Sequence, residues 1–481
     1  MNLAATVKTK KTRSLCLAAA LLGGCAIGPD YRNITPQQAA PEQFRATAPE
    51  ADTAHVVERD AWWFGFHDGG LDSLVQTALQ HSPDIASADA GIAQSRASVT
   101  QVASARSPQL SGEGRVGRDQ ISKDSENFAN IPFPNAQSGF NDYRGGLDAS
   151  WEIDLFGRTA RGVESARAKT GGVEAQREDV ALRVAAETAR NVLDYRHLQL
   201  RIANARAVLD GNRAMLHLVQ LQRAAGVASD MDVKQADIGV RNAEAMLPPL
   251  EAAAQSAIAA LIPLTGLPHE AIAAQLDRAA GEPILPEAAS FAVGSQVLER
   301  RPDVRVAERQ LASATADIGA AMADRYPRFT LVGDAGWESI HPGQFGQQAS
   351  RYWNIGPQLY VPIFNGGRVQ AEIKQSEAAR DAALANYRKA VLAALADVES
   401  AMLRCQGDHG RLGKIDAALA LQAEQIAMTK KRVDVGEAPQ LDLLNAQIQR
   451  EGLADQQLAG RQALAEDLVL LYKALGGRGA D

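Results

Sequence analysis

At 481 residues the chain has room for two to four domains or for one elongated body. Lys and Arg number 50 against 57 Asp and Glu, a net charge of −7, which argues against the basic stripe of a nucleic-acid binder. With 46% hydrophobic and 22% charged residues the composition is that of a folded chain rather than a disordered one. Aromatics are only 5% and much of the apolar share is alanine, which favours long Ala-rich helices over a large aromatic core. Three cysteines cannot build a disulfide framework. Past the N-terminal stretch no window approaches the roughly 18 uncharged apolar residues of a spanning helix, which speaks against a helical membrane protein.

In chain order, Lys8, Lys10, Lys11 and Arg13 form a positive region before the apolar run Leu15 to Leu22. Together they read as a signal peptide over 1–24. Leu22-Gly23-Gly24-Cys25 resembles the lipobox of bacterial lipoproteins. That resemblance makes Cys25 the new N-terminus, carrying acyl chains, and Ala26 in place of Asp permits sorting to the outer membrane. The alternative is an ordinary signal peptide with a chance cysteine. Several acyl chains anchor stably where one does not, at about 0.8 kcal/mol per buried methylene. Cys405 is then the only free thiol of the mature chain, most simply an inert helix residue. Residues 25–60 hold the anchor and a Pro-, Ala-, Gln- and Glu-rich stretch that reads as an extended linker. Trp62, Trp63, Phe64 and Phe66 follow; their default role is to pack the end of the linker onto the body, the alternative being an interfacial aromatic belt.

The body is written twice. Pro83-Asp84 answers Pro302-Asp303 and Pro108 answers Pro327, about 219 residues apart. Gly226 and Asp232 answer Gly436 and Asp442, and Thr265-Gly266 answers Leu475-Gly476, about 210 apart. A duplication with one loop insertion of about nine residues explains both offsets. The first repeat covers 61–266, a connection 267–300, the second repeat 301–476 and a tail 477–481. Each repeat reads as a helix (83–106, 303–325), two strands, a very long helix (159–224, 367–434), a Gly-containing turn and a last helix (230–264, 439–475).

The strands alternate with period two. In 143–155, Tyr143, Leu147, Ala149, Trp151 and Ile153 take one face and Arg144, Asp148, Glu152 and Asp154 the other. Phe329, Leu331, Ala335 and Trp337 repeat the pattern in 329–338, as do Trp353, Ile355, Leu359, Val361 and Ile363 in 351–363. The strand 109–118 offers only Leu110 and Val116. About ten residues cross a bilayer as a tilted strand; a half-buried sheet on a soluble core is the alternative. No proline interrupts 135–247 or 363–438, and 66 helical residues make a rod of about 100 Å that must pack beside other rods. Leu441, Leu444 and Ile448, then Leu464, Leu468, Leu471 and Leu475, form one apolar stripe. Pro248-Pro249 predicts a kink or break in the first 230–264 helix. Four spanning strands leave two open edges that a bilayer does not tolerate. The sheet must close with copies of itself, two giving eight strands and three giving twelve; the physics demands a ring without fixing its number.

These residues resemble the TolC-like outer-membrane factors, of the lipoprotein type grouped with NodT and OprM. The resemblance rests on Cys25-Ala26-Ile27-Gly28-Pro29-Asp30-Tyr31, Arg301-Pro302-Asp303-Val304, Tyr326-Pro327 and Val361-Pro362-Ile363-Phe364-Asn365-Gly366-Gly367-Arg368, with Phe156-Gly157-Arg158 the first-repeat counterpart of the last. It implies an α+β membrane protein with four transmembrane β-strands per chain, a homotrimer joining a twelve-stranded barrel to an α-helical periplasmic barrel. It also implies docking to a periplasmic adaptor (membrane fusion) protein and an inner-membrane pump of the resistance–nodulation–division (RND) type, with passive export of small molecules. Gly157, Gly366 and Gly367 sit at strand-to-helix joints, either generic turns or flexible joints. Gly226, Asp232 and Gly436 mark the helix-hairpin tips, which the resemblance makes adaptor contacts. Asp442 and Asn445 fall at the tunnel aperture, where relatives often carry Asp at the second position and some carry Arg at the place of Ala438. An aperture acid would attract cations; the alternative for Asp442 is a capping or solvated carboxylate.

Gly112-x-Gly114-x-x-Gly117 has the letters of a dinucleotide fingerprint but lies inside a strand and lacks the strand–turn–helix context. The eight histidines show no metal spacing, no nucleophile has a recognisable setting, and no cofactor beyond lipid on Cys25 is implied, so catalysis is unsupported. Competing roles are the exit duct of an ATP-driven type I protein secretion system, a structural lipoprotein without transport, and an enzyme on a helical scaffold; the lipobox favours efflux.

Overall fold

The computed structural model describes residues 26–36, 59–122, 138–278, 283–286 and 296–477. The signal peptide, Cys25, the tether 37–58 and the last four residues lie outside that set. After a 3-10 segment at Arg59–Phe66 come α1 (Gly69–His81), α2 (Pro83–Ala103), β1 (Gln109–Gln120), β2 (Gly139–Ile153), α3 (Arg158–Ala224), α4 (Asp230–Thr265), α5 (His269–Arg278), α6 (Gln296–Arg300), α7 (Pro302–Ala323), β3 (Arg328–Ser339), β4 (Arg351–Tyr360), α8 (Arg368–Asp434) and α9 (Gln440–Ala474).

The two halves repeat this order. β1 and β3 are each 12 residues long, and α3 and α8 are each 67. Gly157, Gly226 and Gly266 have positive φ, as do Gly367, Gly436 and Gly476, each pair 210 residues apart. Gln120 to Arg158 is a step of 38 residues and Ser339 to Arg368 a step of 29, so the difference of about nine falls in the strand hairpin. Pro83 and Pro302 both open helices, where a missing N–H costs nothing.

The chain forms two compact units, and neither coincides with a repeat. One contains the described residues up to Asn33, with Ala93–Gly171 and Glu308–Ala385. It carries a single antiparallel sheet in the order β1-β2-β3-β4. The other comprises the described residues within Ile34–Ile92, Gly172–Ala307 and Asn386–Asp481. Its core joins Trp62, Trp63 and Phe66 to Leu71, Leu74, Leu193, Ile258, Leu261, Leu468 and Leu471. Trp62 stacks on Tyr472 with ring centroids 5.1 Å apart and meets Trp63 edge-on. The aromatic cluster therefore packs onto the body, with only Phe64 exposed.

Several expectations change. Of the kink or break expected at Pro248-Pro249, the break does not occur: α4 runs from Asp230 to Thr265 with both prolines inside it. The same helix is long and apolar enough to cross a membrane by length and composition, contrary to the reading of the sequence. Of its apolar residues, Ala254, Ala257, Ile258 and Leu261 are buried in the core, whereas Met231, Ile238, Met246 and Ile262 are exposed. On α9 the buried stripe passes through Leu443 and Ala446, with Leu441, Leu444 and Ile448 beside it half-buried. β4 ends at Tyr360, and Val361-Pro362-Ile363 leave the strand, as a proline without N–H dictates. β2 ends at Ile153, and Leu155 turns back to donate to the Ile153 carbonyl at 2.9 Å.

One buried ion pair ties this core together. Asp68 caps α1 by accepting from Gly70 N (2.8 Å) and Leu71 N (3.1 Å). Arg196 Nε donates to Asp68 Oδ2 at 2.8 Å, and its Nη2 donates to the Leu276 carbonyl at 2.8 Å. Both side chains are at most 5% exposed. Asp68→Ala strands a buried guanidinium and is expected to cost about 3–5 kcal/mol, read as a loss of urea and thermal resistance of the purified protein in detergent.

Candidate functional site

The sheet is the first functional surface. Its register sets Leu110 beside Ala149 and Val116 beside Tyr143. Ala149 faces Gly333 and Trp151 faces Leu331; Ala335 faces Trp353 and Gly333 faces Ile355. These residues share the apolar face, and in the single chain it is open: Val116 is 79%, Trp353 76% and Ile355 65% exposed. A sheet packed on a soluble core would have buried them. Near the helical end of this sheet Trp151 Nε1 donates to the Arg106 carbonyl at 2.9 Å, and Phe156 stacks on Tyr326 at 4.8 Å.

The opposite face is polar in rows. Ser111, Asp148, Asp334 and Asn354 lie side by side across all four strands, so two carboxylates face each other directly. One level on, Glu113, Gly146, Gly336 and Tyr352 form the next row. A Cβ at Gly336 would sit 3.0 Å from the Tyr352 hydroxyl, so this side chain lies across two glycines. Arg144 Nε donates to that hydroxyl at 3.2 Å, and its guanidinium stands 5.0 Å from the ring centre. Beyond it Arg115 pairs with Asp119 at 2.8 Å and with Asp142 at 3.4 Å.

The joints come next. Gly157 has φ +81°, Gly366 +60° and Gly367 +87°, the left-handed region that glycine enters without penalty. Between the last strand and α8, Ile363 is 93% and Phe364 91% exposed, so the signature loop projects two apolar side chains into solvent.

The helix-hairpin turns are built alike. Val227 N donates to the Gln222 carbonyl and Glu437 N to the Arg432 carbonyl, each at 2.8 Å. Gly226 and Gly436 occupy the left-handed position in both. Val227, Met231 and Val435 are exposed at these tips. The starts of the following helices differ. Ser229 caps α4 in a reciprocal box, with Asp232 Oδ2 accepting from Ser229 N at 2.8 Å. That backbone N–H holds the Asp232 carboxyl below the usual range. In the second turn Pro439 occupies the cap and offers no side-chain bond. Asp442 stands at the position matching Asp232, exposed, with no partner for its carboxylate among the described residues, and Asn445 is exposed one turn on. Asp232 is thus a capping residue, whereas Asp442 does no capping.

Outside these surfaces Glu466 on α9 has a strongly raised carboxyl. Gln462 Nε2 lies 3.4 Å from Glu466 Oε1 and 3.3 Å from Asp194 Oδ1, bridging the two acids. Burial, then the neighbouring Asp194, push the Glu466 carboxyl from 4.5 to about 7, against the opposing Arg190 charge. No spacing along the chain signals this pair, because Asp194 and Glu466 lie in different repeats. Cys405 is buried, and burial pushes its thiol up to about 12, which matches an inert helix residue. Among the described residues no His, Cys, Asp and Glu group could hold a metal ion.

Comparison with known proteins fits this geometry. The family profile described as outer membrane efflux protein matches residues 74–267 and again 293–477. The chain belongs to that family. The pyoverdine export outer membrane protein OpmQ of Pseudomonas aeruginosa is 31% identical over 97% of this chain and 97% of its own length. Nodulation protein T of Rhizobium leguminosarum bv. viciae is 29% identical over 95% of this chain and 91% of its own. The solved structure of the outer-membrane channel OprN covers 94% of this chain and 99% of its own, with a TM-score of 0.82 at 31% identity. The fold is that of the outer-membrane efflux channels, the TolC-like resemblance holds, and the protein resides in the outer membrane as an efflux channel subunit. Its family is one of transporters rather than enzymes.

Because the raised Glu466 carboxyl binds its proton more tightly when folded, stability falls as pH rises from about 4.5 to about 7. Thermal melts across pH 4.5–8 are expected to show a decline of several degrees in the wild type, shallower in Glu466→Gln.

Proposed function

We propose that three copies of this chain form one tunnel, the exit duct of a tripartite efflux system that passively releases small molecules. The observation that carries this reading is the four-stranded sheet with one bare apolar face and two open edges. Each strand is long enough to cross a bilayer, and closure by identical copies is the way to satisfy the edge N–H and C=O groups in hydrocarbon. Cys25 carries lipid that holds the duct to the outer membrane, a role favoured by the lipobox. The helix-hairpin turns, with Gly226 and Gly436 at their tips, meet a periplasmic adaptor, and an RND-type pump in the inner membrane supplies the energy. No step in this reading needs a cofactor or a catalytic group.

Ile363 and Phe364 support self-association, since two apolar side chains so fully exposed need cover. In the first repeat the corresponding Phe156 is covered by Tyr326. In the ring a neighbouring copy covers Phe364. Wild-type protein in detergent is expected to have the mass of three chains by light scattering, and Phe364→Asp is expected to shift at least half of it to smaller species. An unchanged trimer would remove the role assigned to this loop; a wild-type monomer would remove the ring.

Asp442, unbound and beside the second hairpin turn, is the candidate aperture acid, with Asn445 giving a weaker second ring. Asp442→Ala is expected to raise single-channel conductance in a planar bilayer about twofold or more and to reduce cation preference. Conductance and selectivity equal to the wild type would reduce Asp442 to a solvated surface acid.

A further inference from the structure

The peptide that follows Cys25 is not a loose tether. Ile27 N donates to the Phe156 carbonyl at 3.3 Å. Arg161, near the start of α3 and only 5% exposed, reaches back to it. Its Nε donates to the Ile27 carbonyl at 3.2 Å, and its Nη2 donates to the Gly28 carbonyl at 3.3 Å and to Asp30 Oδ1 at 2.7 Å. Its remaining nitrogen, Nη1, is held by Glu164 at 2.8 Å. Tyr31 then donates its hydroxyl to Glu308 on α7. The surfaces beneath are shaped for backbone. A Cβ on Gly319 of α7 would lie 2.7 Å from the Ile27 carbonyl oxygen, and one on Gly157 would lie 2.7 Å from Ala26 Cα.

The duplication supplies a control within the same molecule. At the offset of 210 that relates α3 to α8, Arg161 corresponds to Ala371; at the offset of 219 that relates α2 to α7, Gly319 corresponds to Thr100. The second copy of this place therefore has neither the arginine nor the glycine. A feature needed merely to build the repeat would recur in both halves. Arg161 and Gly319 occur where there is a strap to hold.

We propose that Arg161 and Gly319 form a docking site for the chain's own segment Ile27–Asp30, and that this site fixes Ala26 against the strand-to-helix joint at Gly157. Arg161 acts as a positioning residue. Its fork reads two carbonyls and one carboxylate, a pattern that a lysine cannot reproduce. If Cys25 is acylated, as the lipoprotein reading has it, docking ties the lipidated residue through Ala26 to the strand-to-helix joint at Gly157 instead of leaving it at the end of a free tether.

The strap contains its own reporter, the exposed Arg32. Trypsin cleavage after Arg32 is measured by mass spectrometry on the full-length protein purified in detergent. In Arg161→Ala it is expected to rise at least tenfold over the wild type, while thermal melting and the acyl mass on the N-terminal peptide stay unchanged. Asp30→Ala, an exposed position that leaves folding untouched, is expected to give a smaller rise, and Arg161→Ala with Asp30→Ala is expected to add little to Arg161→Ala alone. Arg161→Lys is expected to fall between. Gly319→Val, whose side chain would crowd both the Ile27 carbonyl and the Arg161 side chain, is expected to expose the strap. Equal cleavage rates in the wild type, Arg161→Ala and Asp30→Ala would overturn the docking site. Cys25→Ser separates this from the lipoprotein reading. Retained protection without lipid supports a site made by the cradle, and lost protection would show that lipid does the holding and would overturn it. A wild-type N-terminal peptide without acyl mass would end the lipoprotein reading and leave the strap result standing.

Discussion

An unpaired backbone amide in hydrocarbon sets the terms for this molecule. Water can satisfy the edge of a soluble sheet, but nothing in a lipid tail can. A chain that contributes four strands with two free edges is therefore incomplete as a membrane structure. The exposed Val116, Trp353 and Ile355, the projecting Ile363 and Phe364, and the duplication all follow the same logic. Each repeat supplies two strands and a long helix, and a wall made of repeats can be continued by further copies. Function follows from closure, since a passage exists when the wall returns on itself.

Much of this was legible in the sequence because strands and helices carry their periods openly. The alternation through Leu147, Ala149 and Trp151 fixed the apolar face, and the register confirms which residues share it. The long proline-free stretches became α3 and α8 within about a residue of their expected limits. Legibility failed where tertiary packing overrides local preference. Pro248 and Pro249 remain inside α4, exposed, a turn or two before the buried Ala254 and Ile258. The hold on Ile27, just before the linker stretch, was not legible either, because it comes from Arg161, over a hundred residues away.

For the functional residues the outcome is uneven, and the reason is again physical. Glycines at positive φ announce themselves by residue type, so Gly157, Gly226, Gly366, Gly367 and Gly436 all stand at turns or joints. Acids do not announce their partners. Asp232 and Asp442 look equivalent in the repeat, yet a serine three residues before the first makes it a cap, and a proline before the second leaves its charge to solvent. Glu466 draws its character from Asp194, a neighbour that spacing does not reveal. Near-symmetry of the backbone thus coexists with specialisation of the side chains, as the cradle at Arg161 and Gly319, which has no counterpart in the other repeat, also illustrates.

The equal length of α3 and α8, at 67 residues each, constrains how such a protein can change. Each added helical residue turns everything beyond it by about 100° and advances it by about 1.5 Å. One extra residue in one helix would rotate its hairpin out of phase with its twin and with every copy around the axis. Insertions and deletions should therefore survive in evolution only as matched changes in both repeats. The stretch from the first strand of each repeat to its long helix has no such phase to keep, and it is there that the two halves already differ by about nine residues.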